Sequence, residues 1–456
     1  MPDRPLPSVV VANLSAPEIN RLGVELERRG VLRRYVRPYA NKGRRWERAI
    51  ERVPGVGRIY ARTLGRRSPP RGLPLHKVIE AGIAQDFLAA AFGRLPLFPQ
   101  SRGRSIAESL TFAAERAVAC AAGRLATAAD IVVASYGTGR CAFEEMQRSG
   151  GRTVLSYPIA HNRYQARMYA EEAALAPEFA AALPRTNRLP SEYLERLEVE
   201  CALADCILVG SGFVRDSFVA IGCHAEKIAI VPYGVDTARF VPPSTPRNDR
   251  TFRVLFVGQI GQRKGMSYLL QGYEQFRRPD CELHIVGSYL RGHEVYRRFT
   301  SLYRHTPHLP QSELPALFHE ADVFVLPSLI EGMPLVILEA MACGVPVITT
   351  THGPGDVVRD GIDGFFVPIR DSEAIAARLE QLYRDRQLRD QMGANARERA
   401  LQFTWDRYAR AAADVVLKHK REVAEPVTES RANLSVTFDT VESGRNFCPR
   451  IPGPKP

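Results

Sequence analysis

Two glutamates and one adjacent pair of cations are the residues of this 456-residue chain whose types and spacing could do chemistry. Glu331 and Glu339 stand with seven residues between them in the run EGMPLVILEAMACGVPV. A carboxylate accepts hydrogen bonds from two sugar hydroxyls, which suits recognition of a hexose or a ribose. Between them, Gly332 and Met333 lead into a helix that the sequence predicts to begin at Pro334 as its first residue. The amides of residues 333 to 336, including Leu335 and Val336, would then be free to face an anion. Upstream, residues 257–265 read VGQIGQRKG. There Gly258 permits close backbone approach, and Arg263 with Lys264 supplies neighbouring cations ahead of a helix N-terminus, the parts of a diphosphate site. Alone, each signal is weak. Glycine-rich turns are common, and by spacing alone Glu339 could face solvent while Leu335, Val336, Leu338 and Met341 pack.

These loops need strands and helices to hold them. The second half offers FRVLFVG, ELHIVG, DVFVLPS, VPVITT and GFFVP, apolar throughout, as strands buried on both faces must be. The first half alternates β-branched runs with helical stretches: 9–12, a helix from Pro17 closed at Gly30, a helix over 106–126, then DIVVAS, RTVLSY, CILVGS and IAIVP. The chain is long enough for two cores. The fold expected is α/β, two doubly wound Rossmann-like domains facing a cleft, with ligands outside the carboxyl ends of the strands. Residues 1–240 are expected as the first domain with a basic insert at about 37–75, 241–250 as the linker, 251–420 as the second domain, and 421–456 as a disordered tail. Tyr408 and the final helices are expected to cross back to the first domain.

The ordered series VPYGVD, VGQIGQRKG, ADVFVLPSLIEGMPLVILEAMACGVPVI and GFFVP resembles the family 4 glycosyltransferases, retaining enzymes of the GT-B fold, over about 205–418. The resemblance implies that Glu331 contacts the transferred sugar, that Glu339 holds the ribose hydroxyls, and that Arg263 and Lys264 neutralise the diphosphate. It places Gly258, Gly332, Met333, Pro334, Leu335 and Val336 around the donor. It implies no metal and no cofactor beyond a nucleoside diphosphate sugar as co-substrate. Transfer would be a same-face displacement of a hexose onto a glycan, glycolipid or other acceptor. Family members often carry a histidine near the reacting centre, and His161 in SYPIAHNRY is the candidate, although a lone histidine is as readily structural. Two departures stand out: Gln259 sits where many relatives place arginine, and the glycine pair that usually follows the first strand is replaced by ANLSAP. The second departure keeps open an inactive partner subunit that binds the donor. An epimerase or phosphorylase of the same architecture is a rival within the enzymes.

The formal charge is +12, concentrated between Arg21 and Arg71. Such a patch attracts an anionic membrane surface or a phosphorylated acceptor, or is simply a solvated face. Nucleic acid is disfavoured because no recognised module accompanies the charge. No apolar run reaches spanning length, so the expected location is cytoplasmic, peripheral at the inner face of the membrane. The eight cysteines are scattered through apolar contexts and read as reduced core thiols.

Overall fold

Fully apolar strands must be covered on both faces, and the structure arranges them as two all-parallel sheets. The computed structural model describes residues 6–418 except 56, 58–59, 62–64, 66, 93–99, 185–189, 246, 248 and 291, so the tail 421–456 lies outside the described residues. The first sheet contains β1 (Val9–Ala12), β2 (Leu32–Arg37), β3 (Val78–Glu80), β4 (Ile131–Ser135), β5 (Arg152–Tyr157), β6 (Cys206–Val209) and β7 (Ile228–Ile230), in the order β3-β2-β1-β4-β5-β6-β7. The second contains β8 (Phe252–Val257), β9 (Cys281–Val286), β10 (Tyr303–Thr306), β11 (Val323–Leu326), β12 (Val347–Thr349) and β13 (Gly364–Phe366), in the order β10-β9-β8-β11-β12-β13. In each sheet the chain winds outward and then returns to the other side of its first strand. That reversal opens a crevice between β1 and β4 and another between β8 and β11, where doubly wound folds bind ligands.

Three strands lie where no apolar run marks them. β2 reads LRRYVR, and its arginines hide a strand in which Leu32, Tyr35 and Val36 are buried. β3 and β10 are outer strands of three and four residues, too short to show a period. The basic insert also differs from a uniformly outward patch. Lys42 pairs with Glu80 at 3.2 Å, Arg44 with Glu47 at 3.2 Å and also with Glu80, and Arg67 with Asp86. Most of these charges tie the insert to β3 and to the helix Ile83–Phe92 that follows it. The helix Arg45–Glu51 leaves Trp46 41% and the following Val53 46% exposed.

The final helix, Trp405–Leu417, returns to the helix Pro17–Arg28. Arg29 donates to Asp414 at 2.6 Å and Arg152 to the Val416 carbonyl at 3.2 Å. Tyr408 is fully buried with its ring edge on Tyr233 at 5.6 Å, and its hydroxyl has no hydrogen-bond partner among the described residues. An unsatisfied buried hydroxyl costs about 1–3 kcal/mol, whereas emptying the ring's site costs about 3–5 kcal/mol. Urea denaturation should therefore find Tyr408→Phe at least as stable as wild type and Tyr408→Ala strongly destabilised; a Phe variant as weak as the Ala variant would refute the orphaned hydroxyl.

Candidate active site

The loops after β8 and β11 flank the crevice of the second sheet, and one glycine lets them touch. Gly265 has φ +69°, and a Cβ there would fall 2.0 Å from the Pro327 carbonyl oxygen, so no other residue fits without moving the backbone. The Leu329 amide then donates to the Arg263 carbonyl at 2.9 Å. This contact puts both cations on one carboxylate. Arg263 Nη1 lies 3.0 Å and Lys264 Nζ 2.5 Å from Glu331 Oε1, while the Ser328 hydroxyl donates to the same oxygen at 3.0 Å. Arg263 also donates to the Ile330 carbonyl at 2.9 Å.

All three side chains are nearly buried, so the charges decide one another's titration. Burial alone would raise the Glu331 carboxyl, but Lys264 and then Arg263 outweigh it and hold it below the ordinary carboxylate value. Burial depresses the Lys264 ammonium, incompletely opposed by Glu331, whereas Glu331 keeps the Arg263 guanidinium above its usual range despite burial. Two cations facing one carboxylate leave a surplus positive charge in a desolvated site. Oε2 of Glu331 carries none of these three bonds and is the oxygen left to accept a ligand hydroxyl.

The helix beyond Glu331 runs Leu335–Ala342, one residue later than expected: Pro334 is its N-cap, extended at φ −71° and ψ 108°, rather than its first helical residue. The ring fixes φ equally well in either place, so sequence could not separate them. Leu335 and Val336, half-buried, begin the helix, and the first amides of a helix have no acceptor within it. Gly258, on the loop after β8, lies beside Lys264, whose Cε is 3.8 Å from where its Cβ would be. Glu339 is 8% exposed, which rules out a solvent-facing side chain. Burial pushes its carboxyl up to about 7, against a hydrogen bond from Gln311 and the nearby Arg239. The two glutamates thus sit in opposite environments, one neutralised by cations and one lacking any ion pair among the described residues.

The first sheet closes over this site. A Cβ on Gly332 would lie 1.6 Å from the Pro158 carbonyl oxygen, and the Ser211 hydroxyl donates to the Gly332 carbonyl at 2.7 Å. Met333 packs against Gly210. On the other flank, Glu172 of the helix Asn162–Leu175 is fully buried and receives Gln262 Nε2 at 2.7 Å, the Tyr268 hydroxyl at 2.9 Å and Arg370 Nε at 2.7 Å. Arg370 has φ +65°, the only non-glycine residue with positive φ among those described. Strain of this kind persists where surrounding contacts hold it.

His161, the candidate from the first domain, is 1% exposed and caps the helix Asn162–Leu175, its Nδ1 accepting the Arg163 amide at 3.2 Å. Its ring stacks on Tyr157 and meets Phe218 edge-on, its Nε2 is 3.6 Å from Glu198, and burial lowers its pKa to about 4. These partners all belong to the first domain. The structure therefore brings together Arg263, Lys264, Glu331 and the helix start, and it holds His161 through Nδ1 as a helix cap while its buried Nε2 has no hydrogen-bond partner among the described residues. The loop after β1, lacking the glycine pair, is closed by Asn13, which bonds Ala16, Asn20 and Tyr35.

Residues 239–399 match the family model described as Glycosyl transferases group 1. That segment is similar to the group 1 glycosyl transferases. A D-inositol 3-phosphate glycosyltransferase of Paenarthrobacter aurescens is 35% identical over 209 residues, covering 41% of this chain and 51% of that protein. The chain spans about half the length of the curated relatives it matches. Two solved structures share the fold over 90% of this chain: the Anabaena protein HepE with UDP and glucose, TM-score 0.57 at 16% identity and 99% of that chain, and sucrose-phosphate synthase of Thermosynechococcus elongatus, TM-score 0.59 at 19% identity and 98% of that chain. Both sheets of the fold of these two structures are therefore present. Sequence reasoning missed Ser328, Glu172, Gln262, Arg370 and Gly353, whose Cβ would fall 2.5 Å from Glu331 Cβ. Only Gly353, in THGPGD beside β12, carried a signal.

The Glu339 carboxyl has a raised folded pKa, so its contribution to stability is complete below the unfolded value of 4.5 and is lost as pH rises through about 7. Glu339→Gln removes that loss. Denaturation at pH 4.5 and pH 8 should show the variant gaining roughly 2–3 kcal/mol on wild type between the two; a constant difference would show that Glu339 titrates normally.

Proposed function

We propose that this chain is a retaining glycosyltransferase that moves a hexose from a nucleoside diphosphate sugar to a glycan, glycolipid or other acceptor. The observation that carries the proposal is the surplus buried cation at Arg263 and Lys264, beside unpaired helix amides, within the segment that matches the group 1 glycosyl transferases. A diphosphate supplies the missing negative charge. Its arrival draws Arg263 and Lys264 from Glu331, and Glu331 turns to the sugar hydroxyls. Glu339, buried with its carboxyl raised to about 7, is suited to exchange hydrogen bonds with ribose hydroxyls.

In the transfer, the bond from the anomeric carbon to the phosphate oxygen breaks and a bond to the acceptor oxygen forms on the same face. The acceptor proton passes to the departing phosphate oxygen. The protein's share is orientation and charge stabilisation: the two cations and the amides of Leu335 and Val336 face the charge that grows on the leaving group. No protein nucleophile and no metal enters this account. A uridine donor leads the candidates, since HepE of the same fold was solved with UDP and glucose.

Association with an anionic membrane surface is a second element of the proposal. The helix Arg45–Glu51 presents Arg45 and Arg48, followed by Arg52, beside the exposed Trp46 and Val53. No helix among the described residues is long and apolar enough to cross a membrane. Arg44 is occupied by Glu47 and Glu80, which removes it from the contact set.

Release of nucleoside diphosphate from UDP, GDP and ADP sugars, with inositol phosphate, α-glucan and lipid acceptors, tests the activity. Acceptor-dependent release should fall on the order of 100-fold in Glu331→Gln. Release that ignores the acceptor would contradict transfer, and nucleotide binding without release under any acceptor would favour the inactive partner subunit. Charge reversal at Arg45, Arg48 and Arg52 should weaken sedimentation with phosphatidylserine vesicles at least tenfold, each cation contributing about 1 kcal/mol; unchanged sedimentation would remove the membrane from the account.

A further inference from the structure

Two thiols remote from the charged cleft stand within reach of each other. Cys120, on the helix Gln100–Ala126, and Cys141, in the first turn of the helix Arg140–Ser149, hold their Sγ atoms 3.3 Å apart. A disulfide bond is about 2.05 Å long, so side-chain rotation of little more than 1 Å closes the gap. The helices approach this closely because Gly123, one turn beyond Cys120, has no side chain: a Cβ there would already lie 3.2 Å from Cys141 Cβ.

The pair is also reachable. Both thiols line a cavity of about 540 Å³ bounded by Phe112, Tyr193 and Arg196, and Cys120 lines a second cavity of about 450 Å³ as well. Both residues are partly exposed. An incoming reagent therefore meets Cys120 from two sides and Cys141 from one. A cysteine in the first turn of a helix is ordinarily acidified by the free amides. Here Glu200 takes those amides, accepting from Gly137 at 2.6 Å, Gly139 at 2.8 Å and Arg140 at 3.1 Å. Burial, and then the hydrogen bond with Cys120, push the Cys141 thiol up to about 11.

We propose that Cys120 and Cys141 form a reversible dithiol site, oxidised to an intramolecular disulfide by low-molecular-weight disulfides, with Cys120 attacking the reagent first and Cys141 resolving. The Cys120 sulfur displaces one thiol from the reagent and forms a mixed disulfide. Cys141 then attacks the Cys120 sulfur and displaces the second thiol. Two electrons pass from the protein to the reagent, and the two thiol protons leave on the two released thiols. The new bond fixes the start of the helix Arg140–Ser149, and with it the loop after β4, to the helix Gln100–Ala126.

The full chain, incubated with glutathione disulfide at neutral pH, alkylated and mapped by mass spectrometry, decides the proposal. The expected result is a Cys120–Cys141 cross-link, a chain lighter by two hydrogens, loss of alkylation at both positions, and recovery of both thiols with dithiothreitol. Cys141→Ser should stop at one glutathione adduct on Cys120, and Cys120→Ser should leave Cys141 unmodified. Undiminished alkylation of the wild-type pair, stable adducts on both without a cross-link, or cross-links made preferentially with other cysteines would overturn it. An adduct on Cys141 in the Cys120→Ser chain would overturn the assigned order.

Discussion

The candidate site depends on one electrostatic constraint: two buried cations share a single carboxylate. Burying an unpaired charge costs several kcal/mol, so Arg263 and Lys264 can sit together under cover only because Glu331 stands against both. The balance is incomplete, and the surplus charge gives the site its chemistry. An arrangement with equal charges would be a structural ion pair. One with a missing negative charge beside unpaired amides is a receptor for an anion. Gly265 makes the arrangement possible, because any side chain there would separate the two loops that carry the charges.

The same loops are where the two sheets meet. Gly332, directly after Glu331, lies against Pro158 and Ser211 of the first domain, and Gln262, directly before Arg263, reaches Glu172. Arg263 and Glu331 are thus each one peptide bond from a residue in contact across the cleft. Movement of the domains would act on the positions of Arg263 and Glu331 without needing a long relay. Glu172 gathers three donors at once, and the strained backbone of Arg370 is held by that clasp together with Glu171. Conformational energy stored at a domain junction is well placed to couple closure to ligand binding.

Much of this was legible in the sequence, and what was not has identifiable causes. The apolar strands around β8, β11 and β12 announce a doubly wound sheet, and the loops at their carboxyl ends carry the residues that the structure gathers. Arg263, Lys264 and Glu331 were named from loop chemistry and family resemblance, and the contact among them follows from a glycine whose significance appears only when Pro327 is seen beside it. β2 was hidden because arginine stems can cover a strand while their charges leave it. The basic insert looked like an outward patch because Glu47, Glu80 and Asp86, which neutralise Lys42, Arg44 and Arg67, are up to 38 residues away in sequence. Glu172 gave no signal at all, since nothing local distinguishes a helix glutamate that will be buried by another domain. His161 combines both uses of its type: Nδ1 caps a helix, and Nε2 is buried without a hydrogen-bond partner among the described residues.

The central claim is that the surplus charge at Arg263 and Lys264 is reserved for a diphosphate. Calorimetric titration of UDP and of uridine into wild type, Arg263→Gln and Lys264→Gln measures it directly. The account predicts that wild type prefers UDP to uridine by at least two orders of magnitude, that each substitution removes at least tenfold of that preference, and that uridine affinity stays the same in all three. Equal binding of UDP and uridine by wild type, or a preference untouched by either substitution, would contradict it.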